Sequence, residues 1–218
     1  MLKNVLFDLD GTISDSREGV IGCFQHTLKE LTGSYIEESA IMKLIGTPIR
    51  TIFSELLQTD DEQLITRAIS VYRDKYAEIG ITGNRVYPGI AELLSALDKK
   101  AYCIYIVTMK NTQDSEKVIR YLGFSHLIQG IYGPSLKGYP DNKAELIKSA
   151  MFENTLIPEE TVMIGDRGVD ILAGKSNNTW TIGVTYGFGS REEISESSPD
   201  YLCQSPQEIL SVIEGLPD

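Results

Sequence analysis

The 218-residue sequence predicts an α/β fold, a parallel-sheet core interrupted after its first strand by an all-helical insertion. Three observations carry this. From residue 83 onward, apolar runs of strand length alternate with segments of helical spacing, the pattern of parallel βαβ units. Between Ser14 and Thr82 only helical spacing is convincing. Three apolar runs each end in a polar group, a carboxylate or a hydroxyl: Phe7 leads into Asp8, Val107 into Thr108, and Ile164 into Gly165-Asp166. In open parallel sheets ligands bind beyond these carboxyl ends.

The elements follow in order. Leu2 to Leu9 is near-continuously apolar, which suits a central strand buried on both faces. Val20, Phe24, Leu28 and Leu31 then share a helical face that stops near Gly33. Helical stretches continue over Glu37–Ile45, Pro48–Leu57 and Asp61–Ile79, with Pro48 suited to a first turn. The expected organisation is therefore a core of residues 1–14 and 83–218, with residues 15–82 as a separate helical unit. Tyr87-Pro88-Gly89 marks the return, followed by a helix over Ile90–Lys99 and a strand over Tyr102–Val107. A helix from Asn111 to Leu122 stops at Gly123, and Gln129–Tyr132 is a weaker strand. Helix Asn142–Phe152, strand Val162–Ile164, helix Val169–Ser176 and strand Trp180–Val184 come next. A short strand at Tyr201–Cys203 and a helix from Pro206 complete the chain, with Ser195–Pro199 read as a polar loop.

Composition narrows the function. With 42% hydrophobic residues the chain can bury a core. Lys and Arg total 20 against 31 Asp and Glu, a net charge of -11, so nucleic acid and anionic membranes are not expected partners. An anionic substrate would need a local cationic pocket. Cys23, Cys103 and Cys203 are odd in number, without Cys-x-x-Cys or a neighbouring His, and read as reduced thiols. Met1 to Asn4 runs directly into the first strand, and no segment has the length and apolarity of a signal peptide or membrane span, so a cytoplasmic protein is expected. His26 and His126 have no metal-ligand spacing.

Strand alternation turns Asp8 and Asp10 the same way. Two carboxylates so placed repel unless one is protonated or a cation separates them, and magnesium, a hard cation served by oxygen ligands, fits. The competing reading of Asp10-Gly11 is a simple turn. Asp166 and Asp170, about one helical turn apart at a strand-to-helix junction, can face one cation or can simply complement a helix dipole.

Val5-Leu6-Phe7-Asp8-Leu9-Asp10-Gly11-Thr12, Thr108 after its strand, and Gly165-Asp166 with Asp170 together resemble the motifs of the haloacid dehalogenase-like hydrolase superfamily. Within it the chain is similar to the phosphoglycolate phosphatase-like and 5'-nucleotidase-like branches. That resemblance implies a Rossmann-like core, a helical cap that closes over the site, and a magnesium-dependent phosphatase acting on a small phosphorylated metabolite. It implies Asp8 as nucleophile, and the Asp8 carboxylate, Asp10 carbonyl and Asp166 as metal ligands, with Asp170 a further ligand or a residue that supports them from behind. The Asp10 side chain is then left for acid and base work, with Thr108 and the Met109 amide on a phosphoryl oxygen. The third motif is a lysine, and here the pattern departs from a frequent Lys-Pro form. Lys137 and Lys143 compete; Lys143 is preferred because it opens a predicted helix and its Asn-Lys-Ala-Glu setting resembles some phosphatase branches. Gly46-Thr47-Pro48-Ile49-Arg50 resembles the cap loop that reads the leaving group, so Arg50 is either a substrate contact or a solvated charge.

Rivals differ in outcome more than in motif. A β-phosphoglucomutase-like mutase would keep the same core motifs, and a phosphonatase would need a cap lysine, for which Lys29, Lys43 and Lys75 are available. A signalling receiver domain would not place its phosphoacceptor on the first strand.

Overall fold

The computed structural model describes residues 2–137 and 139–216; Met1, Gly138, Pro217 and Asp218 lie outside the described residues. The chain begins with β1 (Asn4–Phe7) and β2 (Ser14–Asp15), and then forms α1 (Arg17–Thr32), α2 (Glu38–Met42), α3 (Ile49–Leu57) and α4 (Glu62–Lys75). After β3 (Arg85–Val86) come α5 (Ile90–Lys99), β4 (Cys103–Val107), α6 (Thr112–Tyr121), β5 (Ile128–Tyr132) and α7 (Lys143–Glu153). The remainder is β6 (Thr161–Gly165), α8 (Gly168–Ser176), β7 (Trp180–Val184), α9 (Arg191–Glu196), β8 (Tyr201–Cys203) and α10 (Pro206–Gly215).

Six strands form one parallel sheet in the order β5-β4-β1-β6-β7-β8. The order reverses between β1 and β6, so the crevice between their carboxyl ends is the switch point where such sheets bind ligands. Register makes the rim level: Phe7 lies opposite Ile106 of β4 and Ile164 of β6. Alternation sorts the side chains. Val5 and Phe7 pack with Ile90, Leu94 and Leu97 of α5 and with Ile209 of α10, while Leu6 packs with Leu146 and Ile147 of α7 on the other face. Each such side chain, fully buried, contributes about 1.5–3 kcal/mol.

The helices between β2 and β3 have their own apolar core, including Phe24, Ile41, Phe53, Ile65, Tyr72 and Tyr76. Phe24 sits 4.5 Å from Tyr72 and 5.2 Å from Phe53, ring centre to ring centre. β2 and β3 pair antiparallel at the base of this block, a two-residue ribbon too short to show periodicity in the sequence. The helix expected to reach Ile79 ends at Lys75 and widens into a π-helical turn over Tyr76–Gly80. That turn seats the Gly80 carbonyl against Gly19 of α1, an approach that a Cβ on Gly19 would block.

One expectation is corrected. The loop read at Ser195–Pro199 overlaps α9, because the Ser190 hydroxyl accepts from the Glu193 amide at 3.1 Å and acids fill the first turn. Its single buried apolar residue, Ile194, leaves no periodic signal. All three cysteines are free thiols, and no described helix is long and apolar enough to cross a membrane.

Candidate active site

The level rim brings Asp8, Thr108, Lys143, Asp166 and Asp170 together, all buried. Asp8 follows β1 directly, its amide donating to the Ile164 carbonyl at 2.9 Å, which locks it to β6. Asp166 follows β6. One of its oxygens accepts from the Thr12 hydroxyl at 3.0 Å and the other from the Phe188 amide at 2.7 Å. Gly11, at φ 93°, runs so close to Asp166 that a Cβ there would overlap the carboxylate. Asp170 is the third residue of α8; its Oδ2 accepts from the Arg167 amide at 3.0 Å, tying the carboxylate back to the start of the helix, and its Oδ1 pairs with Lys143.

Lys143 settles between the carboxylates. Asn142 caps α7, accepting from the Ala144 amide at 2.8 Å, and this aims the first helical side chain into the site. Lys143 Nζ donates to Asp8 Oδ1 at 2.6 Å and also pairs with Asp170, with 2% of the residue exposed. Lys137 is exposed, its amide held by the Ser135 hydroxyl. Burial opposes the Lys143 charge, but Asp170 and Asp8 outweigh it and hold its pKa above the ordinary range. Burial also pushes the Asp8 carboxyl up, Lys143 opposing and Asp170 and Asp166 reinforcing. Asp166 is raised by burial and by Asp170, against the hydrogen bonds from Phe188 and Thr12.

With all three carboxylates ionised, one lysine would leave excess negative charge in a dry place, which burial opposes by favouring protonation unless a cation is bound. Oxygens of Asp8, Asp166 and Asp170 lie within 4.8 Å of one another, near the roughly 4 Å across a magnesium coordination sphere. The donor set is all hard oxygen, so the residues fit a hard divalent cation.

Asp10 stands apart from that triad. Its Oδ2 is 2.8 Å from Lys110 Nζ, while Oδ1 is buried without a hydrogen-bond partner. Lys110 lies 4.6 Å over the Tyr76 ring, so the π-helical turn roofs the pair. Thr108 is not used as a helix cap; Asn111 caps α6, accepting from the Asp114 amide at 3.0 Å. The Thr108 hydroxyl accepts from the Lys110 amide at 3.2 Å, which leaves its own proton free to donate.

Above the rim lies a cavity of about 150 Å³, walled by Asp8, Asp10, Thr108, Met109 and Lys110 below and by Phe24, Tyr72, Tyr76 and the Gly46–Ile52 stretch above. Arg50 lines it but pairs with Glu62. Sequence reasoning missed Lys110, the Phe188 amide and Arg167, and gave Thr12, though part of the first motif, no role of its own. Arg167 spans the seam, donating to the carbonyls of Ile45 and Lys43 from the helical block and to Glu193 of α9 at 2.8 Å. Lys110 was discoverable, since parallel register puts the turns after β1 and β4 side by side.

A level parallel rim carrying buried carboxylates, a bridging lysine and a hydroxyl donor fits an enzyme of phosphoryl-transfer type on an α/β core. Comparison with known proteins is more specific. The haloacid dehalogenase-like hydrolase family matches residues 5–184, and the chain belongs to that family. A 5'-nucleotidase of Pseudomonas aeruginosa is 34% identical over 97% of this chain and 96% of its own length. A pyrophosphatase PpaX of Halalkalibacterium halodurans is 28% identical over 97% of each. A solved structure described as a predicted phosphatase from Clostridium acetobutylicum superposes with a TM-score of 0.93 at 35% identity, covering 99% of this chain and 100% of that one.

Proposed function

We propose that the protein is a magnesium-dependent phosphatase that hydrolyses a small phosphorylated metabolite, a phosphoglycolate- or nucleotide-type monoester, through an aspartyl phosphate on Asp8. The observation that carries this is Lys143 bridging Asp8 and Asp170 beside Asp166 at the sheet's switch point. The 5'-nucleotidase and pyrophosphatase relatives support the same reaction class.

In this reading an Asp8 oxygen attacks phosphorus and the bond to the leaving oxygen breaks. Asp10 supplies that oxygen's proton, later takes one from water as water attacks phospho-Asp8, and so returns to its starting state when phosphate leaves. Lys110 holds Asp10 Oδ2, so the unpartnered Oδ1 is the atom left for proton transfer. The Thr108 hydroxyl and the Met109 amide donate to phosphoryl oxygens, and Lys143 balances their charge. Asp8, Asp166, Asp170 and the Asp10 carbonyl would hold Mg²⁺, which offsets the repulsion between carboxylate and phosphoryl anion. Residues 15–82 act as a cap that excludes water, with Arg50 in the cavity wall on the leaving-group side.

Asp8→Asn tests the assignment. Phosphate release should fall at least about 10³-fold, with the thermal unfolding midpoint retained. Turnover near the wild-type rate in a folded Asp8→Asn protein overturns it.

A further inference from the structure

The cavity that reaches Asp8 and Asp10 also carries Arg73, on α4, in its wall. A guanidinium has five N–H donors. Here Nη2 donates to the Leu136 carbonyl at 2.7 Å, while Nε is buried without a partner. No described carboxylate comes within 4.0 Å of Arg73 as an ion-pair partner, although the chain carries a net charge of -11. The other cations of the wall are engaged, Lys110 with Asp10 and Arg50 with Glu62. The guanidinium as a whole is half-buried, but a buried N–H without an acceptor costs stability unless a ligand oxygen completes it. The bond to Leu136 anchors the side chain across the seam, so it is positioned before any ligand arrives.

We propose that Arg73 is a specificity-determining residue that holds a second oxyanion, a carboxylate or a phosphate, on the leaving portion of the substrate. This rests on the phosphatase reading of the same site. Size limits the span between the two anions: the cavity, at about 150 Å³, is smaller than the roughly 300–1,000 Å³ of pockets for drug-sized ligands. The substrate class is therefore a short molecule with anions at both ends, selected over a monoester with a neutral tail.

The test compares wild type, Arg73→Gln and Arg73→Lys on two pairs of probes. Pyrophosphate and phosphoglycolate carry a second oxyanion; methyl phosphate and p-nitrophenyl phosphate do not. In Arg73→Gln the ratio of kcat/KM for the two-anion probes to that for the neutral-tailed probes should fall at least about tenfold, chiefly through KM. Arg73→Lys should retain part of the preference, and it carries the test if Arg73→Gln fails to fold. The larger fall with pyrophosphate or with phosphoglycolate tells phosphate from carboxylate. An equal fall for all four probes makes Arg73 a structural clamp on Leu136 and overturns the proposal, as does an unchanged ratio. Calorimetric binding of pyrophosphate and methyl phosphate to Asp8→Asn, with and without Arg73→Gln, reads the same ratio without turnover. If wild type releases phosphate from no probe while this binding preference still depends on Arg73, the phosphatase reading fails and the Arg73 assignment stands.

Discussion

At the sheet rim every carboxylate oxygen of Asp166 and Asp170 has a partner within the core, whereas α3 and α4 satisfy their charges differently. Arg50 pairs with Glu62 at the surface, and Arg73 reaches only a carbonyl across the seam. The seam itself is held by Arg73 and Arg167, each donating to backbone oxygens of the opposite unit. The difference teaches a division of labour. The buried carboxylates and Lys143 gather at the ends of paired parallel strands, whereas the charges of α3 and α4 sit on a helical block whose side-chain bonds to the core include those of Arg73 and Arg167.

The contrast breaks most sharply at Lys143. Lys143→Met should lower the unfolding free energy by about 3–5 kcal/mol in chelator, since Asp8 and Asp170 lose their shared cation. Lys137→Met, at the surface, should change it by no more than about 0.5 kcal/mol. Urea titrations of both variants give the two values, and similar losses would contradict the geometry of the site.

Chelation addresses the rim alone. Phosphate release should fall about 10²-fold or more in EDTA and return with added Mg²⁺, with the hydrogen-exchange protection of α3 and α4 unaltered.

The pH dependence follows from Asp8 and Asp166, whose carboxyls burial raises to about 8 and about 7 from 3.8. Between those limits the folded chain binds more protons than the unfolded one, so this stability is complete below about pH 4 and lost as pH rises through 7 to 8. Metal-free protein should therefore melt several degrees lower at pH 8.5 than at pH 5.5, with about 2–4 °C for each kcal/mol. Added Mg²⁺ should narrow the gap by favouring the ionised carboxylates. A metal-free Tm that rises over this range would show that the triad is not the dominant charge.

The smallest effect is expected at the seam. Arg167→Ala removes the bonds to Lys43 and Ile45 and should lower amide protection in α2 and α3 about tenfold, leaving β1 and β6 as they are. Equal loss in β1 would mean that the two units open together.

Much of the site was legible because strand ends announce themselves: an apolar run stops at Phe7, Val107 or Ile164 and polar chemistry begins. Lys143 was legible through its place in the first turn of a helix. Arg73 was not, since it looks like one more charge on a helix, and Lys110 was within reach only by setting the turns after β1 and β4 side by side. The β2–β3 ribbon and α9 escaped for another reason, being shorter than the window over which periodicity has meaning.

By itself the sequence determined the parallel α/β core, the helical insertion and the carboxylates of the rim, because burial imposes period and composition on every strand and helix locally. Only the tertiary structure decided that Lys143 bridges Asp8 and Asp170, that Asp10 pairs with Lys110 under Tyr76, and that Arg73 keeps an unpartnered donor at the cavity. Those are choices of partner between residues 27 to 135 positions apart, as for Lys143, and chain register with helix docking settles them.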